Sequence, residues 1–248
     1  MEGAPAVAES DELIHPAHLP LRLIAAGTVG NVMEWYDFSA YGYFAATIGR
    51  RFFPSADATT SLIAAFGVFA AGFLMRPVGG VVFGHIGDRV GRKTALTISV
   101  LAMAVPTFLI GVLPDYATLG PAAAVLLVVL RMIQGLSVGG EYTTSIVFLV
   151  EGAGQKHRGF AGSWSGFGAV GGILLGSAVG ALVTLSLSQD EVDRWGWRLP
   201  FLVGLLVGLA GLYVRRHIPE VHQPAEHARG RSPVWEALRS HWRTILRI

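Results

Sequence analysis

The chain has 248 residues, a formal net charge of +2, 52% hydrophobic residues and only 15% charged residues. Because soluble domains carry about 25% charged residues, this composition predicts a membrane protein. The sequence contains no cysteine, which excludes a disulfide framework and a cysteine-based metal site within it. Its arginines lie beside long apolar segments and not along a soluble polar face, which argues against a nucleic-acid partner.

Long apolar segments predict six membrane-spanning helices, at about residues 21–48, 61–84, 94–113, 121–149, 161–186 and 198–214. A helix needs about 20 apolar residues to cross a hydrocarbon core of roughly 30 Å. We therefore expect an all-α membrane protein with a six-span unit at 21–216. Residues 1–20 are predicted to be an N-terminal tail and not a cleavable signal peptide, because they lack the basic start and the small-residue cleavage site. The orientation given next predicts that this tail is cytoplasmic.

Basic residues between the segments predict the orientation, because short cytoplasmic loops carry an excess of Lys and Arg. Arg50 and Arg51 favour one side of the membrane. The larger set favours the other side, which predicts that both termini are cytoplasmic. That set is Arg89, Arg92, Lys93, Lys156, Arg158, Arg215 and Arg216.

The first segment carries two acidic residues, Glu34 and Asp37, at positions that are predicted to lie within the membrane. Charges there are costly, so such residues are candidates for function. They are three residues apart and share a helical face with Asn31 and Tyr41. This face is suited to binding a proton and a polar substrate. The alternative is that one carboxylate only pairs structurally with a basic residue of a neighbouring span.

The second segment contains one charge, Arg76. Arginine stays protonated in proteins. Its guanidinium can hold a substrate carboxylate with two parallel hydrogen bonds, or it can neutralise Glu34 or Asp37. Both interpretations remain open from the sequence.

The fourth segment contains Arg131, Gln134 and Glu141. A buried glutamate near an arginine experiences opposing influences on its proton affinity, which makes Glu141 a candidate proton carrier. The alternative is a permanent pair between Glu141 and an arginine that holds helices together. In the fifth segment, glycines at every fourth position predict close helix packing: Gly168, Gly172, Gly176 and Gly180.

A short charged and glycine-rich stretch separates the second and third segments. We expect it to form a tight hairpin, in which the glycines let two helix ends approach and Asp88 lies near a helix N-terminus. Its notable residues are Gly84, His85, Gly87, Asp88, Arg89, Gly91, Arg92 and Lys93.

The pattern Gly-x-x-x-Asp-Arg-x-Gly-Arg-Lys at 84–93 resembles the signature loop of the major facilitator superfamily. The segments at 34–38, 73–80 and 134–141 resemble its metabolite:H+ symporter branch, which contains proline/betaine, 2-oxoglutarate, citrate and shikimate transporters. The resemblance implies the N-terminal half of that fold, built from two inverted three-helix repeats. It also implies that residues 84–93 form a cytoplasmic gate. The Arg131–Gln134 segment resembles a fourth-span motif that is associated with proton coupling.

The expected function is proton-coupled symport of a small polar metabolite, such as an organic acid, proline or betaine, across the bacterial inner membrane. Symport or uniport is favoured over antiport because the fifth segment lacks the proline of the drug:H+ antiporter motif. No enzyme signature, metal site or cofactor is expected, and the proton is the coupling ion. The expected partners are the metabolite, the proton and the lipid bilayer.

Residues 217–248 are polar and then show apolar side chains at helical spacing, which predicts a cytoplasmic connector with an amphipathic helix. In the family this connector leads to a second six-span half, which is absent from this chain. We interpret the sequence as a truncated N-terminal half. The alternative is an inactive six-span fragment or a half-transporter with no transport of its own.

Overall fold

The computed structural model describes residues 21–153 and 157–216, and these residues form helices joined by short turns. The predicted N-terminal tail, the connector with its amphipathic helix and Lys156 lie outside the described residues. The α-helices are α1 (Leu21–Tyr43), α2 (Ala45–Phe52), α3 (Ala58–Leu74), α4 (Arg76–Arg89), α5 (Arg92–Val112), α6 (Tyr116–Leu119), α7 (Pro121–Glu151), α8 (Arg158–Ser186), α9 (Gln189–Arg194) and α10 (Leu199–Arg216). A 3-10 helix, Gly196–Arg198, precedes α10.

Five helical stretches within the described residues are long and apolar enough to cross a membrane. They are Ala58–Arg89, Arg92–Val112, Pro121–Glu151, Arg158–Ser186 and Gly196–Arg216. The chain is therefore a multi-pass, all-α membrane protein. Helix α1 is not one of these stretches, because Asn31, Glu34 and Asp37 make it less apolar. All three side chains are buried inside the bundle.

Two of the predicted spans are each divided. The first separates into α1 and α2 at Phe44, which has a ψ of 14°. The second separates into α3 and α4 at Met75. There the Met75 amide donates to the carbonyl of Gly72, three residues back, whereas an α-helix uses the carbonyl four residues back. Pro77 follows in the first turn of α4 and has no amide proton, so it cannot continue the hydrogen-bond ladder of α3.

The turn between the second and third segments is shorter than the predicted hairpin at 84–93, so the predicted extent is wrong. Helix α4 continues to Arg89 and α5 begins at Arg92, so the chain reverses at Val90 and Gly91 alone. Gly91 has a φ of 127°, which favours glycine. Asp88 accordingly lies in the last turn of α4, and its carboxylate is 3.0 Å from Arg92 Nη1 at the first residue of α5. The helix tolerates Gly84 and Gly87 because a glycine costs it only about 1 kcal/mol.

Close glycine contacts set the two most intimate helix pairs. The four evenly spaced glycines of α8 lie along α1, and a Cβ atom on any of them would meet α1 atoms at 2.5–2.8 Å. The packing role predicted for them is therefore what the structure shows. On the other side of the bundle, Gly79 and Gly139 bring α4 and α7 into backbone contact.

Arg50 and Arg51, which opposed the orientation favoured by the other basic residues, are paired with acids. Arg50 lies 2.7 Å from Asp193 of α9, and Arg51 lies 3.2 Å from Asp115, the residue before α6. Arg51 also donates to the Asp193 carbonyl oxygen at 2.7 Å. These acids offset both positive charges and tie α2 to two short helices at one end of the bundle.

Candidate functional site

Asp37 of α1 is fully buried and receives hydrogen bonds from two other helices. On α7, Arg131 Nη1 lies 2.5 Å from Asp37 Oδ2, and Gln134 Nε2 lies 3.0 Å from Oδ1. On α5, the Thr107 hydroxyl lies 2.9 Å from Oδ1 and 2.8 Å from the Met103 carbonyl oxygen, and its one proton serves either acceptor. Gln134 also donates to the Thr107 oxygen at 2.8 Å, so it links Thr107 and Asp37 in one network.

Arg131 keeps unused hydrogen-bonding capacity although its side chain is only 2% exposed. Its Nε and Nη2 have no hydrogen-bond partner among the described residues. Its guanidinium carbon lies 3.7 Å from the centre of the Tyr41 ring. The Tyr41 hydroxyl donates to the Ala65 carbonyl at 2.9 Å, so Tyr41 offers the site its ring face.

Glu34 of α1 and Arg76 of α4 form a long ion pair, with 3.8 Å between Oε1 and Nη2. That distance is beyond a hydrogen bond. Glu34 Oε2 and Arg76 Nε and Nη2 are buried without a hydrogen-bond partner in the described part of the chain. The Arg76 guanidinium carbon instead lies 3.7 Å from the centre of the Phe73 ring and 5.1 Å from that of Phe38.

Glu141 of α7 forms a buried ion pair with Arg215 of α10, and the Ser99 hydroxyl of α5 also donates to its carboxylate. Arg215 further donates to the backbone carbonyls of Leu96 on α5 and Ala26 on α1. The alternative interpretation of Glu141, a permanent pair with an arginine, therefore has a specific partner. This pair joins four helices.

Arg215 is the charged residue of the site that the sequence interpretation misses, because it groups Arg215 with Arg216 as a loop charge. It is buried, whereas Arg216 is exposed. A signal for this difference exists in the sequence. Gly204, Gly208 and Gly211 precede Arg215 at helical spacing and form the buried face of α10.

Asn31 lies apart from the acidic residues of its own helix. Its Nδ2 donates to the Ser145 hydroxyl of α7 at 2.9 Å, and Ser145 in turn lies 3.3 Å from the Ser165 hydroxyl of α8. Its Oδ1 is buried and has no partner within the described ranges. Asn31 thus lies where α1, α7 and α8 meet.

The predicted pathway residues fall into neighbouring groups on α1, α4 and α7. A small cavity of about 10 Å³ lies where Arg131 and Gln134 approach Arg76. Glu34 and Glu141 line a second cleft together with Gly30, Ser99 and Ser137. Their roles in transport remain predictions. The groups are Asp37 with Tyr41, Arg131 and Gln134; Glu34 with Arg76; Glu141 with Arg215; and Asn31 with Ser145.

The predicted gate residues cluster around Arg92 at the start of α5. Arg92 Nη1 lies 3.0 Å from Asp88, and its Nε lies 3.8 Å from Glu151, the last residue of α7. Lys93 Nζ donates to the Arg216 carbonyl at 3.4 Å. These contacts join the ends of α4, α5, α7 and α10 at one side of the bundle.

The other predicted gate residues have simpler surroundings. Gly87 packs against α5, and a Cβ atom there would lie 3.0 Å from Arg92 Nη1. Arg89 is exposed, and Gly84 and His85 are half-buried on α4. Gly91 provides the reversal. A gating role for this cluster is still a prediction.

Within 21–153 and 157–216, no group of three or more His, Asp or Glu residues is arranged to hold a metal ion. The arrangement places buried carboxylates opposite guanidinium groups, and ionisable residues at such positions in membrane spans are candidates for binding protons or ions.

Comparison with known proteins identifies the family. The family described as "Sugar (and other) transporter" matches residues 23–222. The proline/betaine transporter of Salmonella typhimurium is 43% identical over 206 residues, which are 83% of this chain and 41% of that protein. The proline/betaine transporter of Escherichia coli K12 is 42% identical over the same share of each chain. A glycine betaine/proline/ectoine/pipecolic acid transporter of Dickeya dadantii is 43% identical, again over 83% and 41%.

The fold matches solved transporters of the same superfamily. A proton:xylose symporter structure superposes with a TM-score of 0.72 at 20% identity, over 92% of this chain and 49% of that chain. The inward-open xylose transporter of E. coli gives a TM-score of 0.70 at 20% identity, over 81% and 48%. This chain thus spans less than half the length of these proteins, all of which are transporters and not enzymes. The chain belongs to the sugar (and other) transporter family of the major facilitator superfamily.

Proposed function

We propose that the intact protein is a proton-coupled symporter that carries a small polar metabolite across the bacterial inner membrane. The candidate metabolites are an organic acid or a zwitterion such as proline or betaine. The names of the relatives support a transporter and favour the zwitterions. Both termini of the chain would be cytoplasmic, and a second half of the protein would complete the transport pathway.

In this proposal α1 also crosses the membrane and is added to the five long apolar stretches as a further span. The six spans then form two inverted three-span repeats. The first repeat would comprise α1, α3 with α4, and α5, and the second would comprise α7, α8 and α10. A two-fold axis between the repeats would relate the α1–α8 contact to the α7–α4 contact. Both of these helix pairs pack through glycines, which supports the arrangement.

One observation carries the proposed mechanism. Two carboxylates of α1, Glu34 and Asp37, are buried opposite arginines of two other helices. Each arginine, Arg76 and Arg131, retains guanidinium nitrogens that have no partner among the described residues. A bound proton would neutralise a carboxylate and release its arginine to attract the carboxylate of a substrate.

Coupling between proton and substrate follows because the proton replaces the arginine as the partner of the carboxylate, which frees the arginine for the substrate. If a proton on the acid strengthens binding of the substrate, then the substrate must strengthen binding of the proton by the same factor. Release of one on the far side of the membrane then favours release of the other. Glu141 has a different role in this proposal: its pair with Arg215 holds α1, α5, α7 and α10 together.

Uptake by membrane vesicles that contain the full-length product of the gene tests the proposal. Labelled proline, betaine, 2-oxoglutarate, citrate and shikimate would be compared with and without an imposed proton gradient. We expect gradient-dependent uptake of at least one of them, and its loss when a protonophore is added. Uptake that ignores the gradient would contradict proton coupling, and no uptake of any of the five would contradict the proposed substrates.

A further inference from the structure

We propose that the rings of Phe38 and Phe73 bind the ammonium end of a zwitterionic substrate, at the position where the Arg76 guanidinium lies in the structure. The arginine, displaced from the rings, would then bind the substrate's carboxylate. This inference rests on the proposed transport function and specifies how its site recognises a substrate. The rings of Phe38, Phe69 and Phe73 are called the ring cluster below.

The ring cluster has the geometry of a cation-binding surface. Phe38 of α1 and Phe73 of α3 are stacked, with centroids 5.6 Å apart and an interplanar angle of 26°. Phe69 contacts both, at 5.3 Å from Phe38 and 5.1 Å from Phe73. The negative faces of such rings attract ammonium and guanidinium groups, and aromatic cages of this kind recognise quaternary ammonium ligands.

A cation already lies on these rings. The Arg76 guanidinium carbon is 3.7 Å from the Phe73 centroid, which is close stacking, and 5.1 Å from the Phe38 centroid. The cluster therefore accommodates a positive group of the size of a guanidinium. A trimethylammonium or pyrrolidinium group is of similar size and carries the same charge.

The arginine is weakly held there. Its Nε and Nη2 have no hydrogen-bond partner among the described residues, and its ion pair with Glu34 is 3.8 Å long. Forming hydrogen bonds to a carboxylate would satisfy these nitrogens, so displacement of the guanidinium from the rings to such an acceptor is favourable. Arg76 can move because 29% of its side chain is exposed.

Further unpaired polar atoms lie at the same place. The small cavity is lined by the ring cluster, Arg76, Arg131 and Gln134. Arg131 is 2% exposed, and its Nε and Nη2 are unpartnered within the described part of the chain, as is Gln134 Oε1. Two guanidinium groups with free N–H donors can together bind one carboxylate. The cavity volume of about 10 Å³ holds one water at most, so a substrate enters only as Arg76 leaves the rings.

The arrangement therefore selects a class of substrate. The site pairs two carboxylates with two guanidinium groups. When all four are ionised their charges sum to zero, and a zwitterion leaves that sum unchanged. A substrate with an ammonium group and a carboxylate separated by one carbon satisfies the rings and the arginines together. A dicarboxylate or tricarboxylate would leave the rings without a cation.

Equilibrium binding to the full-length protein in vesicles without a proton gradient tests this inference. The probes are labelled glycine betaine and unlabelled 3,3-dimethylbutanoate, which has the same shape and carboxylate but a neutral carbon in place of the nitrogen. We expect the protein to prefer betaine by about thirtyfold, the size of a cation–ring interaction in a desolvated site. Phe73→Leu should abolish most of this preference, and Phe73→Trp should retain it.

Phe66→Leu is the matched control, because Phe66 is on the same helix, is 48% exposed and lies outside the ring cluster. Equal binding of the two probes, an unchanged preference in Phe73→Leu, or no saturable binding of betaine would each overturn the inference. Binding needs no gradient, so it separates the two proposals. A preference that depends on Phe73 without gradient-driven uptake would leave the inference intact and contradict proton coupling.

Discussion

Arg215 and Glu141 pair inside the bundle although 74 residues separate them in the chain. The Arg215 side chain is 2% exposed and that of Glu141 is 3% exposed. The guanidinium also bonds to the Leu96 and Ala26 carbonyls, and the carboxylate accepts from Ser99. This concentration of partners is typical of a buried ion pair that is compensated by hydrogen bonds.

Removal of Arg215 should destabilise the protein strongly. Arg215→Gln leaves the Glu141 carboxylate buried without its counter-ion, and such changes cost about 3–5 kcal/mol. The double substitution Arg215→Gln with Glu141→Gln should recover part of that loss, because no buried charge remains unpaired. The free energy of unfolding in detergent micelles, measured for a double-mutant cycle, checks this expectation.

Arg216→Gln is the control for this cycle, since Arg216 is adjacent but exposed. It should change the unfolding free energy by less than about 0.5 kcal/mol. Equal losses for Arg215→Gln and Arg216→Gln would show that the buried pair is not the stabilising element.

The contact between α3 and α7 should be intolerant of a single methyl group. At Gly135 a Cβ atom would overlap the backbone carbonyl of Gly72, and backbone cannot move aside as a flexible side chain can. We expect Gly135→Ala to cost about 1–3 kcal/mol of stability, as overpacking does. Thermal unfolding of the purified variant measures the loss.

Gly67→Ala provides the comparison, because no heavy atom lies within 4 Å of a Cβ atom built at Gly67. It should be neutral or stabilise α3 by up to about 1 kcal/mol, since alanine favours a helix over glycine. A Gly135→Ala variant as stable as Gly67→Ala would refute the close backbone contact.

Sequence patterns predicted the long helices well where turn-forming residues mark their ends. The predicted span at 121–149 corresponds to α7, Pro121–Glu151, which starts behind Gly120 with a φ of 60°. The break at Phe44 has no comparable signal, because an aromatic residue within an apolar run does not indicate a helix end. The predicted hairpin at 84–93 is too long because a glycine is equally compatible with a turn and with a close helix contact.

For the site, the sequence identified the polar residues but not their pairing. Asp37 and Arg131 are expected to be functional because charges in a span are rare, and Gln134 because its segment resembles a family motif; the structure joins all three in one network. The contact between Glu141 and Arg215 depends on how α10 packs against α5 and α1, and no local pattern encodes that. Thr107 was missed because a single threonine in an apolar helix is common.

The cap of α3 predicts a pH effect outside the membrane. The Thr60 hydroxyl and the Thr60 and Thr59 amides donate to the Asp57 carboxylate, and they hold its pKa below the usual range. A lowered pKa in the folded state adds stability at pH values above the usual pKa of Asp, and that stability is lost as the pH falls through the folded value. NMR titration of the Asp57 carboxyl carbon should therefore give a pKa below 3.8.

Asp57→Ala should increase amide hydrogen exchange in the first turn of α3 at neutral pH, because the cap is lost. The difference from the unmodified protein should disappear in acid, where the native carboxyl is also protonated. A difference that persists unchanged in acid would contradict the assignment of the effect to the ionised carboxylate.

The acidic residues of the bundle should separate into coupling and structural roles. Exchange of external labelled substrate for internal unlabelled substrate requires no net movement of protons, whereas accumulation against a gradient does. On the proposed mechanism, Asp37→Asn and Glu34→Gln should lower proton-driven accumulation by at least about tenfold and leave exchange measurable. Measurable exchange would also show that these variants are folded.

Glu141→Gln should behave differently, because Glu141 lies in the pair with Arg215. Its accumulation and its exchange should fall together, in proportion to the amount of folded protein in the membrane. Asp193→Asn, an acid of the partly exposed Arg50 pair, should change neither. If Asp37→Asn and Glu34→Gln both accumulate substrate normally while Glu141→Gln loses accumulation alone, then the proton is carried by Glu141, and the pair with Arg215 must open during transport.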